Sequence, residues 1–218
     1  MFVKICGIKW VEDARMALGA GADAIGFLLG QKYPSGDFIE ISKANEILCR
    51  LPDRTKAVAV THLNSEDSIR KILNETGINC LQLHSETDDS IIRSLRNWNT
   101  QLKIIRAIHV VDIESVELAC RSATQADVIL LDSRDDSSGR IGGTGKTHDW
   151  EISRAIVASL DIPVVLAGGL HPGNIQEAIR MVRPFGVDAN TGLQYPNTFK
   201  DAQKCRQFIE AAKLYKLK

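Results

Sequence analysis

Short apolar, often β-branched runs recur along the chain, each followed by a stretch with apolar positions at helical spacing. Eight runs read as strands: residues 2–6, 23–29, 56–61, 79–84, 102–108, 127–132, 163–168 and 185–190. They are apolar almost throughout rather than alternating, the pattern of parallel strands covered on both faces. Between them lie single apolar stripes. Ile41, Ala44, Ile47, Leu48 and Leu51 form one; Ile69, Ile72 and Leu73 a second; Ile91, Leu95 and Trp98 a third. Ile175, Ala178, Ile179 and Val182 form another, and Ala202, Cys205, Ile209 and Ala212 the last. Each stripe predicts a helix with one face on a sheet. Ser65, Asp149 and Pro172 mark helix starts, with Pro172 expected in a first turn.

Strict strand–helix alternation calls for right-handed crossovers and a parallel sheet. Eight units fit a closed (β/α)8 TIM barrel, an α/β fold, and this is the architecture the pattern predicts. The rival is an open, doubly wound sheet, which needs a G-x-G-x-x-G after its first strand. Here the first strand runs into "CGIKWVED", with one glycine. No Pro/Ser linker or low-complexity stretch divides residues 1–218, so one barrel domain is expected.

Composition narrows the function classes. The chain has 218 residues, 44% of them hydrophobic, enough for a sizeable core. Its 27 basic and 27 acidic side chains cancel, and no basic block stands out, which argues against nucleic acid as a partner. No apolar run approaches a membrane span, and the first ten residues lack a signal peptide's apolar core. Five cysteines without a C-x-x-C pair suggest a reducing, cytoplasmic setting and no zinc site.

Chemistry is expected at the C-terminal strand ends. "GRIGGTGKTHDW" (139–150) resembles a triphosphate-binding loop, but the spacing fails, because Arg140 stands where the first glycine belongs. A long loop that covers a site is the better reading. The seventh strand runs into Gly168 and Gly169, and the eighth into Asn190, Thr191 and Gly192. Turns at these two places frequently bind a phosphate in barrels. Asp132, at the end of its strand, reads as a helix cap or a catalytic acid/base. Cys6 reads as a small buried hydrophobe or a second proton-transfer group across the barrel. Asp188 either binds ligand hydroxyls or caps a turn, and His84 either lines the pocket or is a satisfied core histidine.

These residues carry a resemblance. "VKICGI", "GADAIGF", "LQLH", "LLDS", "GGTGKTHDW", "VVLAGGLHPGNI" and "GVD", in this order over nearly the whole length, resemble the phosphoribosylanthranilate isomerase family of tryptophan biosynthesis. The resemblance implies a TIM barrel that performs an Amadori rearrangement of an aminoaldose phosphate without metal or organic cofactor. Asp132 would be the general acid and Cys6 the general base, the latter as thiolate. Phosphate would fall to Gly143, Gly168, Gly169, Asn190, Thr191 and Gly192, with the loop 139–147 as a lid. The partner implied is a small phosphosugar, bound by a monomer or homodimer.

The chain departs from the family after the second strand. An arginine is expected there to hold the anthranilate carboxylate, but Ser35 follows Pro34 and no arginine occurs between Arg15 and Arg50. Lys32 or Arg106 is the replacement cation expected. Asn190-Thr191 replaces two serines, and Ser85 a glycine. A divergent isomerase acting on another sugar phosphate, and a non-catalytic sugar-phosphate- or protein-binding paralogue, are the alternative readings.

Overall fold

The computed structural model describes residues 1–30, 36–135, 140–141, 147–195 and 199–215, with the backbone alone described at 134–135 and 140–141. The strands are β1 (Phe2–Ile5), β2 (Ala24–Leu28), β3 (Ala57–Thr61), β4 (Cys80–Leu83), β5 (Lys103–Val110), β6 (Val128–Asp135), β7 (Arg140–Ile141), β8 (Val164–Leu166) and β9 (Gly186–Ala189). The helices are α1 (Val11–Gly19), α2 (Ile41–Leu48), α3 (Glu66–Thr76), α4 (Asp89–Trp98), α5 (Glu114–Ala123), α6 (Trp150–Ser159), α7 (Ile175–Val182) and α8 (Ala202–Leu214).

The barrel closes in the order β1-β2-β3-β4-β5-β6-β8-β9, with β9 returning to β1 and every neighbouring pair parallel. The eight expected strands are these eight, each within two residues at its start. The sixth departs at its end. It continues past Asp132 to Asp135, because β7 pairs antiparallel with its tip at Arg134↔Ile141 and Asp135↔Arg140. The loop therefore begins three residues later than the sequence suggests.

Helix starts follow carboxylate caps. Asp88, Asp149 and Asp201 accept the backbone N–H of Ser90, Glu151 and Gln203, satisfying donors that lack intrahelical partners. Ser65 holds the N-cap position of α3 without a side-chain bond. Pro172 lies two residues before the α7 cap, Asn174, in the preceding turn rather than in the first helical turn. The third stripe is rotated by one residue: α4 buries Ile92 and Leu95, while Ile91 and Trp98 are half-buried.

Two apolar layers result. The outer one packs helices on strands and includes Ile5, Phe27, Ile47, Leu83, Ile104, Leu131, Val187 and Phe208. The inner one fills the barrel with Cys6, Ala24, Val58, Val60, Ile105, Leu130, Val165 and Ala167. Period-2 alternation sets which residues point inward. On β1, Val3 and Ile5 face the helices, leaving Phe2, Lys4 and Cys6 for the interior. Buried polar groups, among them His84, Asp132 and Asp188, gather toward the C-terminal ends of the strands.

Candidate active site

Lys4 sits level with Asp188 in the β1–β9 register. Its Nζ donates to Asp188 Oδ2 at 2.6 Å, and the two side chains are 1% and 6% exposed. An ammonium so fully removed from water persists only when paired. Burial is the largest single influence and disfavours its charge, but Asp188 and Cys6 together outweigh it and hold Lys4 above the ordinary lysine range. The Cys6 thiol lies near Lys4, two residues along the same strand face, and the two act on each other electrostatically. Gly26 on β2 makes room for the pair: a Cβ there would lie 2.7 Å from Cys6 Sγ and 3.2 Å from Lys4 Cε.

Across the barrel, Asp132 is buried beside His109, its register partner on β5. Its Oδ1 accepts the Ser133 N–H at 2.7 Å, and its Oδ2 lies 3.4 Å from His84 Nε2. The Gln82 amide donates to His84 Nδ1 at 3.2 Å, which leaves the ring proton on the nitrogen that faces Asp132. Burial, followed by the charges of His109 and His62, keeps His84 well below the usual histidine range. His84 therefore both lines the site and is a hydrogen-bonded buried histidine. Burial also raises the Asp132 carboxyl above the ordinary carboxylate range, against His109 and the Ser133 N–H, which pull it down.

The two halves are electrostatically joined: Asp188 and Lys4 both act on Asp132, and both act on Cys6. Asp188 Oδ1 is buried without a hydrogen-bond partner among the described residues, an acceptor suited to a ligand hydroxyl. Thiol, carboxyl and this acceptor thus share one polar interior face.

One expectation about the base fails. The thiolate was expected to be favoured, but burial pushes the Cys6 thiol up to about 11, and Lys4 only partly offsets it. Desolvation of the anion outweighs its attraction to one ammonium that Asp188 already engages.

The glycine turns are adjacent. Gly168 and Gly169 have φ of 77° and 63°. A Cβ on Gly192 would lie 2.2 Å from the Leu170 carbonyl oxygen, so the turn after β9 abuts the turn after β8. Asn174 bridges back to the Gly169 carbonyl at 3.0 Å. Thr191 opens the one-turn 3-10 segment Thr191–Leu193. The Asn190 side chain is engaged elsewhere: it accepts from Lys200 Nζ at 2.6 Å and donates to Asp37 at 3.0 Å, so its backbone, not its amide, is what it offers a ligand.

Arg106 requires correction. Ile105 belongs to the inner layer, so its neighbour points outward, where Arg106 pairs with Asp89 at 2.7 Å near the start of α4. His109, three residues on and of opposite parity, occupies the inner face instead and donates to the His84 carbonyl at 3.2 Å. Lys32, Ser35 and Gly143 lie outside the described residues, as does most of the expected lid.

Lys4, Gln82, His109 and Gly26 were missed from sequence. Alternation could have found Lys4, a charge on the inward face of an otherwise apolar strand.

The family model described as N-(5'phosphoribosyl)anthranilate (PRA) isomerase matches residues 3–211. The chain belongs to this family. N-(5'-phosphoribosyl)anthranilate isomerase 2 of Methanosarcina mazei is 45% identical over 214 residues, covering 98% of this chain and 94% of that protein. The Haloferax volcanii isomerase is 37% identical, covering 97% and 92%. Among solved structures, the Thermotoga maritima phosphoribosyl anthranilate isomerase superposes with a TM-score of 0.86 at 32% identity, covering 98% of each chain. A phosphoribosyl anthranilate isomerase in complex with reduced 1-(o-carboxyphenylamino)-1-deoxyribulose 5-phosphate gives a TM-score of 0.82 at 30% identity, again covering 98% of each. Like those family members, this isomerase-family chain is a closed eight-stranded barrel.

Proposed function

We propose that the chain isomerises N-(5'-phosphoribosyl)anthranilate to the corresponding 1-amino-1-deoxyketose phosphate, a step of tryptophan biosynthesis. The observation that carries this reading is the junction of Cys6, Lys4, Asp188 and Asp132 in one buried polar network at the strand ends. A carboxyl whose proton affinity is raised and a thiol near an ammonium suit one substrate that must gain a proton at one atom and lose one at another.

Asp132, whose proton affinity burial raises, gives its proton to the furanose ring oxygen. The C1–O bond breaks and the nitrogen lone pair forms a protonated Schiff base at C1. Cys6, as thiolate, takes the proton from C2. The C2–H electrons become the C1=C2 bond, and the iminium electrons return to nitrogen. Protonation of C1 and loss of the C2 hydroxyl proton then give the ketone, with no net proton or electron gained. Asp188 Oδ1 accepts a sugar hydroxyl. The adjacent turns at Gly168–Gly169 and 190–192 offer uncovered backbone to the phosphate, with Lys200 fixing the second turn through Asn190. The family neighbour captured with a reduced deoxyribulose phosphate supports a phosphosugar substrate.

Expression in a tryptophan auxotroph that lacks this isomerase tests the proposal. Growth without tryptophan is expected. Soluble protein with no growth would contradict it and favour another phosphosugar.

A further inference from the structure

Lys4 carries the buried charge that remains unexplained. It moves no proton in the reaction proposed above, yet the barrel holds a whole ammonium in its interior, 1% exposed. The neighbouring strand gives up a side chain at Gly26, where Lys4 Cε and Cys6 Sγ converge on one point. Asp188 fixes the ammonium from the β9 side at 2.6 Å.

We propose that Lys4 is a positioning residue for the base: held by Asp188, its ammonium stands against the Cys6 sulfur and stabilises the thiolate that removes the C2 proton. The reaction part of this proposal rests on the function proposed above; the electrostatic part does not. The charged groups facing Cys6 are Lys4 on its own strand, Asp188 on β9 and Lys200 in the segment before α8. β2 contributes no titratable group there, only Gly26. Asp188 opposes thiolate formation, and the two lysines favour it. Of the lysines, Lys4 acts on the sulfur more strongly and shares with it the space over Gly26; Lys200 Nζ is spent on Asn190 and Gln194. Asp188 therefore has two effects, fixing the ammonium and competing with the sulfur for its charge. A substrate hydroxyl donating to Asp188 Oδ1 offsets part of the carboxylate's charge and releases more of the Lys4 field to the thiolate.

The test is the rate of Cys6 alkylation by iodoacetamide at pH 8.5, on the resting protein without substrate. It is resolved from the other four cysteines by peptide mass spectrometry. Only the thiolate reacts, so below its pKa the rate falls about tenfold per unit of upward shift. Lys4→Met is expected to slow alkylation at least tenfold. Asp188→Asn, which keeps the shape and removes the competing charge, is expected to speed it at least threefold. A merely structural role would loosen the barrel and speed alkylation in both. Lys4→Met within twofold of the parent, or Asp188→Asn slower than the parent, would overturn the proposal. If Lys4→Met does not fold, as judged by near-ultraviolet circular dichroism, Lys4→Gln takes its place, with the same slowing expected and a rate within twofold of the parent overturning the proposal. In turnover, Lys4→Met should lower kcat by the same factor with KM within about threefold, and recover as pH rises. Opposite alkylation shifts in a protein with no isomerase activity would keep the role of Lys4 and reject the substrate.

Discussion

Replacing Gly26 by alanine adds one methyl group to the inner face of β2. That methyl would lie 2.7 Å from Cys6 Sγ, 3.2 Å from Lys4 Cε and 3.3 Å from Cys6 Cα. Comfortable carbon contacts begin near 3.5–4.0 Å, so the sulfur must retreat by about 1 Å. Cys6 Cα can move only with β1, which is paired on both sides. Overpacking of this kind costs about 1–3 kcal/mol, or roughly 2–10 °C in Tm for a chain this long. A thiol misplaced by about 1 Å costs on the order of a hundredfold in kcat. Thermal unfolding and steady-state turnover, followed by the change in anthranilate fluorescence, read the two effects separately. Gly19→Ala is the control, since a Cβ there meets nothing within 4 Å. It should leave both quantities within error or raise Tm slightly. If Gly26→Ala melts and turns over like the parent, the tight approach of β2 to the Lys4–Cys6 pair is not what organises the base.

Other outcomes follow from the same geometry. Arg106→Gln removes a pair with the partly exposed Asp89, so it should cost about 0–1 kcal/mol in urea unfolding and leave KM within twofold. A tenfold rise in KM would put the guanidinium in contact with substrate. His148, depressed to about 4 chiefly by burial, accepts protons later in the folded chain than in the unfolded one. Its contribution to stability is therefore intact above about pH 6.5 and is lost as pH falls toward 4. Between pH 7.5 and 5 that loss is on the order of 2 kcal/mol. His148→Gln should flatten the difference in urea midpoints between those two pH values, and an unchanged slope would contradict it.

Much of the barrel was legible because parallel strands buried on both faces leave near-continuous apolar runs. β3 and β5 stand out from the chain for that reason. The placement of the candidate site was legible where its residues stand at strand ends, as with Cys6, Asp188 and the two glycine turns. It was illegible where facing decides. Arg106 and His109 lie on one strand, and only the alternation counted from Ile105 sends the first outward to Asp89 and the second inward to Asp132. Lys4 was hidden by its apolar neighbours, since a single cation in "FVKIC" looks like tolerated noise until barrel closure leaves it no water. The proton affinity of Cys6 was beyond sequence altogether, because it is set by desolvation. α5 shows the limit for helices: it buries Ala119 with Ser115 and Ser122, a face too weakly apolar to read.

The central claim is that Cys6 and Asp132 move the two protons. Single-turnover and steady-state rates of Cys6→Ser and Asp132→Asn with N-(5'-phosphoribosyl)anthranilate test it most directly, alongside affinity for a reduced deoxyribulose phosphate analogue. Each variant should lose at least a hundredfold in kcat, consistent with the usual range for a general acid or base, while binding the analogue within about fivefold of the parent. Turnover within tenfold of the parent in both variants would contradict the assignment.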